Sequence, residues 1–395
     1  MSVRVLVFGT YDVRSHPRVG ILADGLRRHG LDVAECNVPL GLDTAERVEI
    51  LKHPTLLPIL LVRLLRCWFA LARQARSQPR ADVVLVGYLG HFDVLLARLL
   101  FRRTPIVLDH LIFAADTARD RGETGGLKQA LLRLIDRMAL RFADVIVVDT
   151  EEHRELVPDK HRDRAVVAAV GAADEWFEVA RPADETVRKA DQARQAGEVG
   201  EDRLRVVFFG VFTPLHGAPV IGQALAELAG ESIDVTMIGS GQDEAETRAA
   251  ARGSSRVTWV DWVAADELPK VVADHDVCLG VFGTTSKALN VVPNKVFQGA
   301  AAGCAIVTSG TSPQRRTLGT AALFVPPGDS AALASALRRF AWDSGYLTRM
   351  RTAAAELARA RFAPDQIVGP LLEHLHEHLH TVHNDETVTK ARETS

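Results

Sequence analysis

The sequence predicts an α/β protein of two doubly wound, Rossmann-like parallel-sheet domains that face each other across a cleft. Short β-branched apolar runs alternate with amphipathic segments along most of the chain. The alternation stops once, in the polar stretch 180–203, and then restarts. With 395 residues the chain exceeds one ordinary core, so two domains of about two hundred residues each are expected.

In the first half, VRVLVFG (3–9), DVVLVGY (82–88), PIVLD (105–109) and DVIVVD (144–149) read as strands. Each is nearly uninterrupted in apolar residues and bounded by turn residues, as for strands buried on both faces. Segment 17–30, PRVGILADGLRRHG, opens with Pro and closes with Gly, the asymmetry of a helix. Residues 54–76 are the most apolar stretch, but Arg63 and Arg66 interrupt it and Pro58 sits within it. It falls short of a membrane span. Two readings stay open: a helix packed on the core, or a peripheral membrane contact using Trp68, Phe69 and the basic residues.

The second half repeats the pattern with RLRVVFFG (203–210), IDVTMIG (233–239), RVTWV (256–260), DVCLGVF (276–282), CAIVTS (304–309) and ALFV (322–325). The expected organisation is a first domain over 1–178, a linker over 179–203 and a second domain over 204–360. A C-terminal helix over 361–382 crosses back to the first domain, and a disordered tail fills 383–395.

Composition excludes some functions. A formal net charge of -3 gives no electrostatic basis for a nucleic-acid partner. The four cysteines, Cys36, Cys67, Cys278 and Cys304, lack the paired spacing of zinc or redox motifs. The N-terminus has neither a basic n-region nor a cleavage pattern. A cytoplasmic protein is expected, at the inner face of the membrane if the 54–76 helix docks there.

Open α/β sheets bind ligands beyond the carboxyl ends of their strands. That directs attention to the loops 9–18, 109–120, 210–217 and 239–242, and to VVPNKVFQGAAAGCAIV (291–307). A diphosphate needs backbone N–H groups and the positive end of a helix, which a helix opening at Asn294 supplies. Pro293 suits its first turn, where an N–H has no intrahelical partner. Lys295 adds a point charge, and Gln298 lies one helical step further on a face that Asn294 and Lys295 can share.

The segments FFGVFTPLHGAPVI, VTMIGSGQ, VTWVDWVAADELPKVVADHDVCL, VPNKVFQGAAAGCAIVTSG and ALFVPPGDSAALASAL, in this order, resemble the GT-B glycosyltransferases, in particular their retaining, family-four-like branch. The resemblance spans nearly the whole chain. It implies transfer of a sugar from a nucleotide-diphosphate donor to a polysaccharide, lipid-linked or small-molecule acceptor, with no cofactor and no metal. It also implies donor contacts from Gly9, Arg18, Val211, His216, Gly239, Val291, Val292, Asn294, Lys295 and Gln298, and catalytic places for His110, near the reacting sugar, and Asn290. Acceptor contacts fall on Asp12, Arg14, His16 and Asp116.

Four positions depart from the family's pattern. Its paired glutamates, eight positions apart, fall on Asn290 and Gln298, both amides. The arginine and lysine of the first loop of the second domain fall on Val211 and His216. His216 is then either a phosphate ligand that depends on pH, or a turn residue before Gly217. The amides keep two alternatives open: a non-catalytic protein that binds a nucleotide-sugar or a partner glycosyltransferase, and a nucleotide-sugar epimerase of the same fold. Oligomeric state is not readable.

Two motifs mislead. HEHLH (376–380) matches the zincin pattern, yet only a polar tail follows it, so it reads as a solvated helix face. The glycines of GTYD and GSGQ do not form G-x-G-x-x-G, which argues against a dehydrogenase.

Overall fold

The computed structural model describes residues 2–13, 16–41, 57–88, 90–122, 125–180 and 203–377. Arg14 lies outside them, as do 54–56 of the apolar stretch, most of the expected linker, and the chain beyond 377 with His380.

Two six-stranded sheets form the scaffold. The first contains β1 (Arg4–Gly9), β2 (Asp32–Asn37), β3 (Val83–Val86), β4 (Ile106–Asp109), β5 (Val145–Val148) and β6 (Ala165–Val167). Their spatial order is β2-β1-β3-β4-β5-β6, and every pairing is parallel. The second contains β7 (Leu204–Phe209), β8 (Ile233–Ile238), β9 (Val257–Val260), β10 (Val277–Leu279), β11 (Ala305–Ser309) and β12 (Ala322–Val325). Its order is β12-β11-β10-β7-β8-β9, again all parallel.

All ten strands read from the sequence are present, and two more join them. β2 escapes a hydrophobic reading because it is an edge strand carrying Asp32, Glu35 and Asn37. β6 has only three residues, Ala165 to Val167.

The first half has helices α1 (Arg18–Arg28), α2 (Leu57–Ser77), α3 (Asp93–Leu100), α4 (Ala114–Asp120), α5 (Gly126–Phe142), α6 (Glu151–Leu156), α7 (Asp159–Arg162) and α8 (Asp174–Glu178). In the second half are α9 (Ala218–Glu227), α10 (Glu244–Ala250), α11 (Leu268–Ala273), α12 (Ser286–Asn290), α13 (Asn294–Ala301), α14 (Ser312–Leu318), α15 (Ser330–Trp342), α16 (Ser344–Arg361) and α17 (Pro364–Ile367). The chain is helical again over 369–377.

Helices cover both faces of each sheet, so the strands are apolar on both sides. On the first sheet, α2, α3 and α5 share one face, burying Leu71, Val94, Ala97, Ala139 and Leu140 against Leu6, Phe8, Val84 and Leu108. On the other face lies α1, with Ile367, Val368, Leu371, Leu372 and Leu375 packed beside it. The chain thus leaves the second sheet after α16 and returns to the first. Gly25 permits this contact, because a side chain there would meet the Pro364 carbonyl oxygen at 2.2 Å. Leu371, Leu372 and Leu375 face inward while His376 and Glu377 are exposed, so the described part of HEHLH is a solvated helix face. No described helix is long and apolar enough to cross a membrane.

Candidate active site

In each sheet the strand order reverses at one point, between β1 and β3 in the first and between β7 and β10 in the second. Adjacent connections depart in opposite directions there and leave a crevice at the strands' carboxyl ends. In the second sheet the crevice is bordered by the 210–217 loop. Gly217 ends that loop at φ 61, a left-handed conformation that glycine adopts without strain. A side chain at Gly217 would also strike the backbone of Gly283 at 2.4 Å. The loop after β7 is thereby pressed against the loop after β10, and Phe282 N–H donates to the His216 carbonyl at 2.9 Å.

Lys295 reaches this crevice from α13. Its side chain is buried, its Nζ lies 3.8 Å from the Phe208 ring centroid, and that ammonium has no hydrogen-bond partner. A Cβ on Gly210 would stand 3.2 Å from Nζ and 3.9 Å from His216 Cε1, which places cation and imidazole side by side at the end of β7. Burial lowers the Lys295 pKa from 10.5 to about 7. Phe208's π face offers partial compensation.

His216 is half-buried, and its Nδ1 donates to the Val211 carbonyl and lies 3.2 Å from Thr213 Oγ1. Burial and then the neighbouring Lys295 hold its pKa well below the ordinary imidazole value. The ring is therefore neutral in the free protein, with Nδ1 protonated and Nε2 open. Binding a phosphate oxygen through Nε2 requires it to take up a proton.

The N-cap of α13 is Pro293, and no side chain caps the helix. Asn294 is exposed and Gln298 half-buried one turn later, but Lys295 does not share their exposure. The expected common face is thus split: Asn294 and Gln298 look outward while Lys295 turns toward β7. Val291 and Val292 are buried, so only their backbone groups can serve a ligand. Val211 is exposed, and Gly239 packs so closely that a Cβ would meet the Gly210 carbonyl oxygen at 2.1 Å.

Across the cleft, a cavity of about 100 Å³ is lined by Leu111, Phe113, Asp116, His153, Lys287 and Asn290, among others. Both halves of the chain contribute, and several bonds hold them together. Lys287 Nζ donates to Thr117 Oγ1 at 2.9 Å, Thr285 Oγ1 donates to Asp120, and Thr150 Oγ1 donates to the Asn290 carbonyl at 2.9 Å. Arg316 pairs with Glu152 through both oxygens, the shortest contact being 2.6 Å. Lys287's pKa is lowered, chiefly by burial, against the pull of Asp120.

The first-domain residues divide. Gly9 closes β1 at φ 150, with Asp93 Oδ2 at 3.1 Å from its would-be Cβ. Asp12 and His16 lie on the following loop, joined by a 2.9 Å backbone bond, with the His16 ring 4.3 Å from that of Tyr88. Asp116 lines the cavity and pairs with Arg119 at 2.9 Å. Arg18 does not face the cleft. It is 1% exposed, bonded to Asp109 at 2.8 Å and to the Ala169 and Ala168 carbonyls at 2.7 and 2.9 Å. The guanidinium ties α1 to β4 and to the chain after β6.

His110 is also enclosed, its ring 4.6 Å from Phe113 and 4.9 Å from His91. Burial and then His91 push its pKa down to about 3, so it is neutral, and its Nε2 has no partner. His91, His110 and Asp136 bring ligand-type atoms within 4.8 Å of one another. His91 Nε2, however, already meets Asp136 and the Ile112 carbonyl, each at 3.1 Å, and Asp136 accepts from Ala114 N–H at 2.9 Å.

Sequence reasoning missed Asp149, His153 and Lys287. His153 hydrogen-bonds Asp149 and lines the cavity. Burial opposes charge on that ring, but Asp149 outweighs it and raises the pKa. Asp149 directly follows β5, His153 lies in α6 and Lys287 in α12, so all three come from the segments beyond the carboxyl ends of β5 and β10.

Residues 203–343 match the family model described as Glycosyl transferases group 1. No curated protein matches the chain. Several solved structures share its architecture. A sucrose-phosphate synthase from Thermosynechococcus elongatus is 14% identical, with 97% of this chain and 100% of that one covered and a TM-score of 0.67. Anabaena HepE in complex with UDP-glucose is 14% identical, with 95% and 100% covered and a TM-score of 0.66. A UDP-forming α,α-trehalose-phosphate synthase from Burkholderia vietnamiensis is 15% identical, with 93% and 95% covered and a TM-score of 0.61. At such identity the likeness shows the fold, that of the GT-B glycosyltransferases. Together with the domain match it supports a glycosyltransferase.

Proposed function

We propose that this chain transfers a sugar from a nucleotide-diphosphate donor to an acceptor held between the two sheets, with retention of configuration. The observation that carries the reading is Lys295. A buried, unpartnered ammonium beside His216 at the second sheet's switch point is costly unless an anion visits it. The donor diphosphate supplies that anion, and the amides at the start of α13 add partial positive charge.

In this reading the sugar's C1–O bond breaks as the acceptor oxygen adds on the same face. The acceptor's proton passes to an oxygen of the departing diphosphate. Lys295, protonated His216 and helix amides stabilise the leaving charge, so no metal or cofactor is required. Asn290 and Gln298 bind sugar or ribose hydroxyls as neutral donors and acceptors. His110 contacts the reacting sugar through Nε2 once the cleft opens, because a cavity of about 100 Å³ does not admit a nucleotide-sugar. Asp12, His16 and Asp116 meet the acceptor, a polysaccharide, lipid-linked glycan or small molecule.

The amides at 290 and 298 favour a second reading, donor binding without transfer. A donor panel separates the two, started with UDP-sugars because HepE was solved with UDP-glucose. Free nucleotide and transferred sugar are followed together, with and without chelator. Acceptor-dependent release of both supports transfer. Binding without turnover supports the second reading, and an altered donor with no nucleotide released would mean epimerisation.

A further inference from the structure

Eleven of the seventeen large hydrophobic side chains exposed among the described residues lie on α2, α3 or α5 or beside them. These helices form one layer on one face of the first sheet, α3 packed between the other two. Their inward stripes fill the core; their outward stripes are also apolar. On α2 the outer stripe includes Ile59, Val62, Leu65 and Phe69, with Ile59 65% and Phe69 74% exposed. On α5 it runs through Leu127, Leu131, Leu134 and Met138, with Leu127 88% exposed. Phe92 and Leu99 expose the same kind of surface at either end of α3. A soluble surface that needs no partner rarely gathers so much apolar area on adjacent elements.

The charge on this layer has one sign. Nine arginines are exposed, four on α2, two just after α3 and three on α5. The only acids in these helices are Asp93 and Asp136, both buried and hydrogen-bonded. This occurs in a chain whose formal net charge is -3, so the positive charge is gathered rather than general. Trp68 does not contribute: it turns inward and donates to Asp93 at 2.9 Å.

We propose that the outer face of α2, α3 and α5 docks as a unit on an anionic lipid bilayer. Leucine and phenylalanine enter the acyl boundary, and the arginines along the same stripes meet the phosphates with their stems laid on the apolar surface. A second copy of the chain is a poorer occupant, because a symmetric contact would set arginine against arginine. The placement suits the cleft, since α5 begins just beyond α4, whose Asp116, Arg119 and Asp120 line the cavity. Docking brings that mouth to the lipid surface. The proposal does not rest on sugar transfer.

The test is flotation of the full chain with vesicles of phosphatidylcholine alone, or of equal parts phosphatidylcholine and phosphatidylglycerol. Binding is expected to the anionic vesicles only, and to be lost at high salt. Arg133→Gln with Arg137→Gln should bind about thirtyfold more weakly. Leu65→Glu with Phe69→Glu, and separately Leu131→Glu with Leu134→Glu, should each release the protein. All these side chains are exposed, and unchanged thermal unfolding confirms that the variants are folded. If the α5 variants float as wild type does, the three-helix face is refuted and α2 alone is the anchor. Equal binding to neutral vesicles refutes the role of the arginines. A dimer that ignores vesicles and that the leucine variants dissociate would make the face a protein interface and overturn the proposal.

Discussion

Replacing Lys295 by Met tests whether the buried ammonium serves the fold or a ligand. Burial lowers its pKa from 10.5 to about 7, and each tenfold in an ionisation constant is about 1.4 kcal/mol. Below the folded-state value both folded and unfolded chains carry the charge, and the folded protein bears the whole cost, about 5 kcal/mol. Between the two values the unfolded chain holds a proton that the folded chain has released, so stability climbs with pH. Methionine has similar length and no charge. The variant should therefore be more stable than wild type, by about 5 kcal/mol near pH 6 and about 2 kcal/mol near pH 9. Denaturant unfolding at the two pH values reads the difference. The same variant should lose nucleoside diphosphate affinity by roughly 1.5 to 3 kcal/mol while binding the free nucleoside unchanged, measured by calorimetry. A methionine variant that is less stable near pH 6, or that binds the diphosphate as wild type does, would refute the assignment.

Three other outcomes follow from the same geometry. Arg18→Met should cost about 3 to 5 kcal/mol of unfolding free energy by stranding buried Asp109, and a stable variant with weakened donor binding would return Arg18 to the donor site. His216→Ala should weaken diphosphate binding more near pH 6 than near pH 8, because the bound ring must take up a proton and affinity falls as that proton becomes scarce; wild-type binding at both would leave His216 a turn residue. His376→Ala and chelator treatment should leave transfer intact, and loss of activity together with bound zinc would revive the HEHLH motif.

The architecture was legible because both sheets are parallel and covered on both faces, which writes their strands as apolar runs with no alternation to misread. β2 was not, since an edge strand tolerates Asp32 and Glu35 where a central strand would not. The helix at Asn294 was legible from Pro293 and the polar residues behind it. Its split into outward Asn294 and inward Lys295 was not, because adjacent helix positions diverge by an angle whose outcome depends on where β7 lies. Arg18 shows the limit most clearly. An arginine at the start of a helix after the first strand has the same sequence signature whether it meets a phosphate or a carboxylate, and the deciding partner, Asp109, is 91 positions away.

The departure at Val211 and His216 acquires a physical sense once Lys295 is placed. An arginine or lysine at 216 would set a permanent cation beside the Lys295 amine, which already lacks a partner and is held only partly charged near neutral pH by burial. A neutral imidazole avoids that repulsion in the free protein, and Lys295 itself helps to keep it neutral. When a diphosphate arrives, its charge favours protonation of both groups, so the positive field would be assembled by the ligand rather than standing in wait. Donor uptake should then be coupled to proton uptake, by more than one proton per diphosphate between the free and bound pKa values of the two groups. Calorimetry in buffers of different ionisation enthalpy counts those protons directly. The count should fall by His216's share in His216→Ala and by Lys295's share in Lys295→Met. Binding with no proton taken up, in the wild type near pH 8, would mean that neither side chain reaches the phosphates.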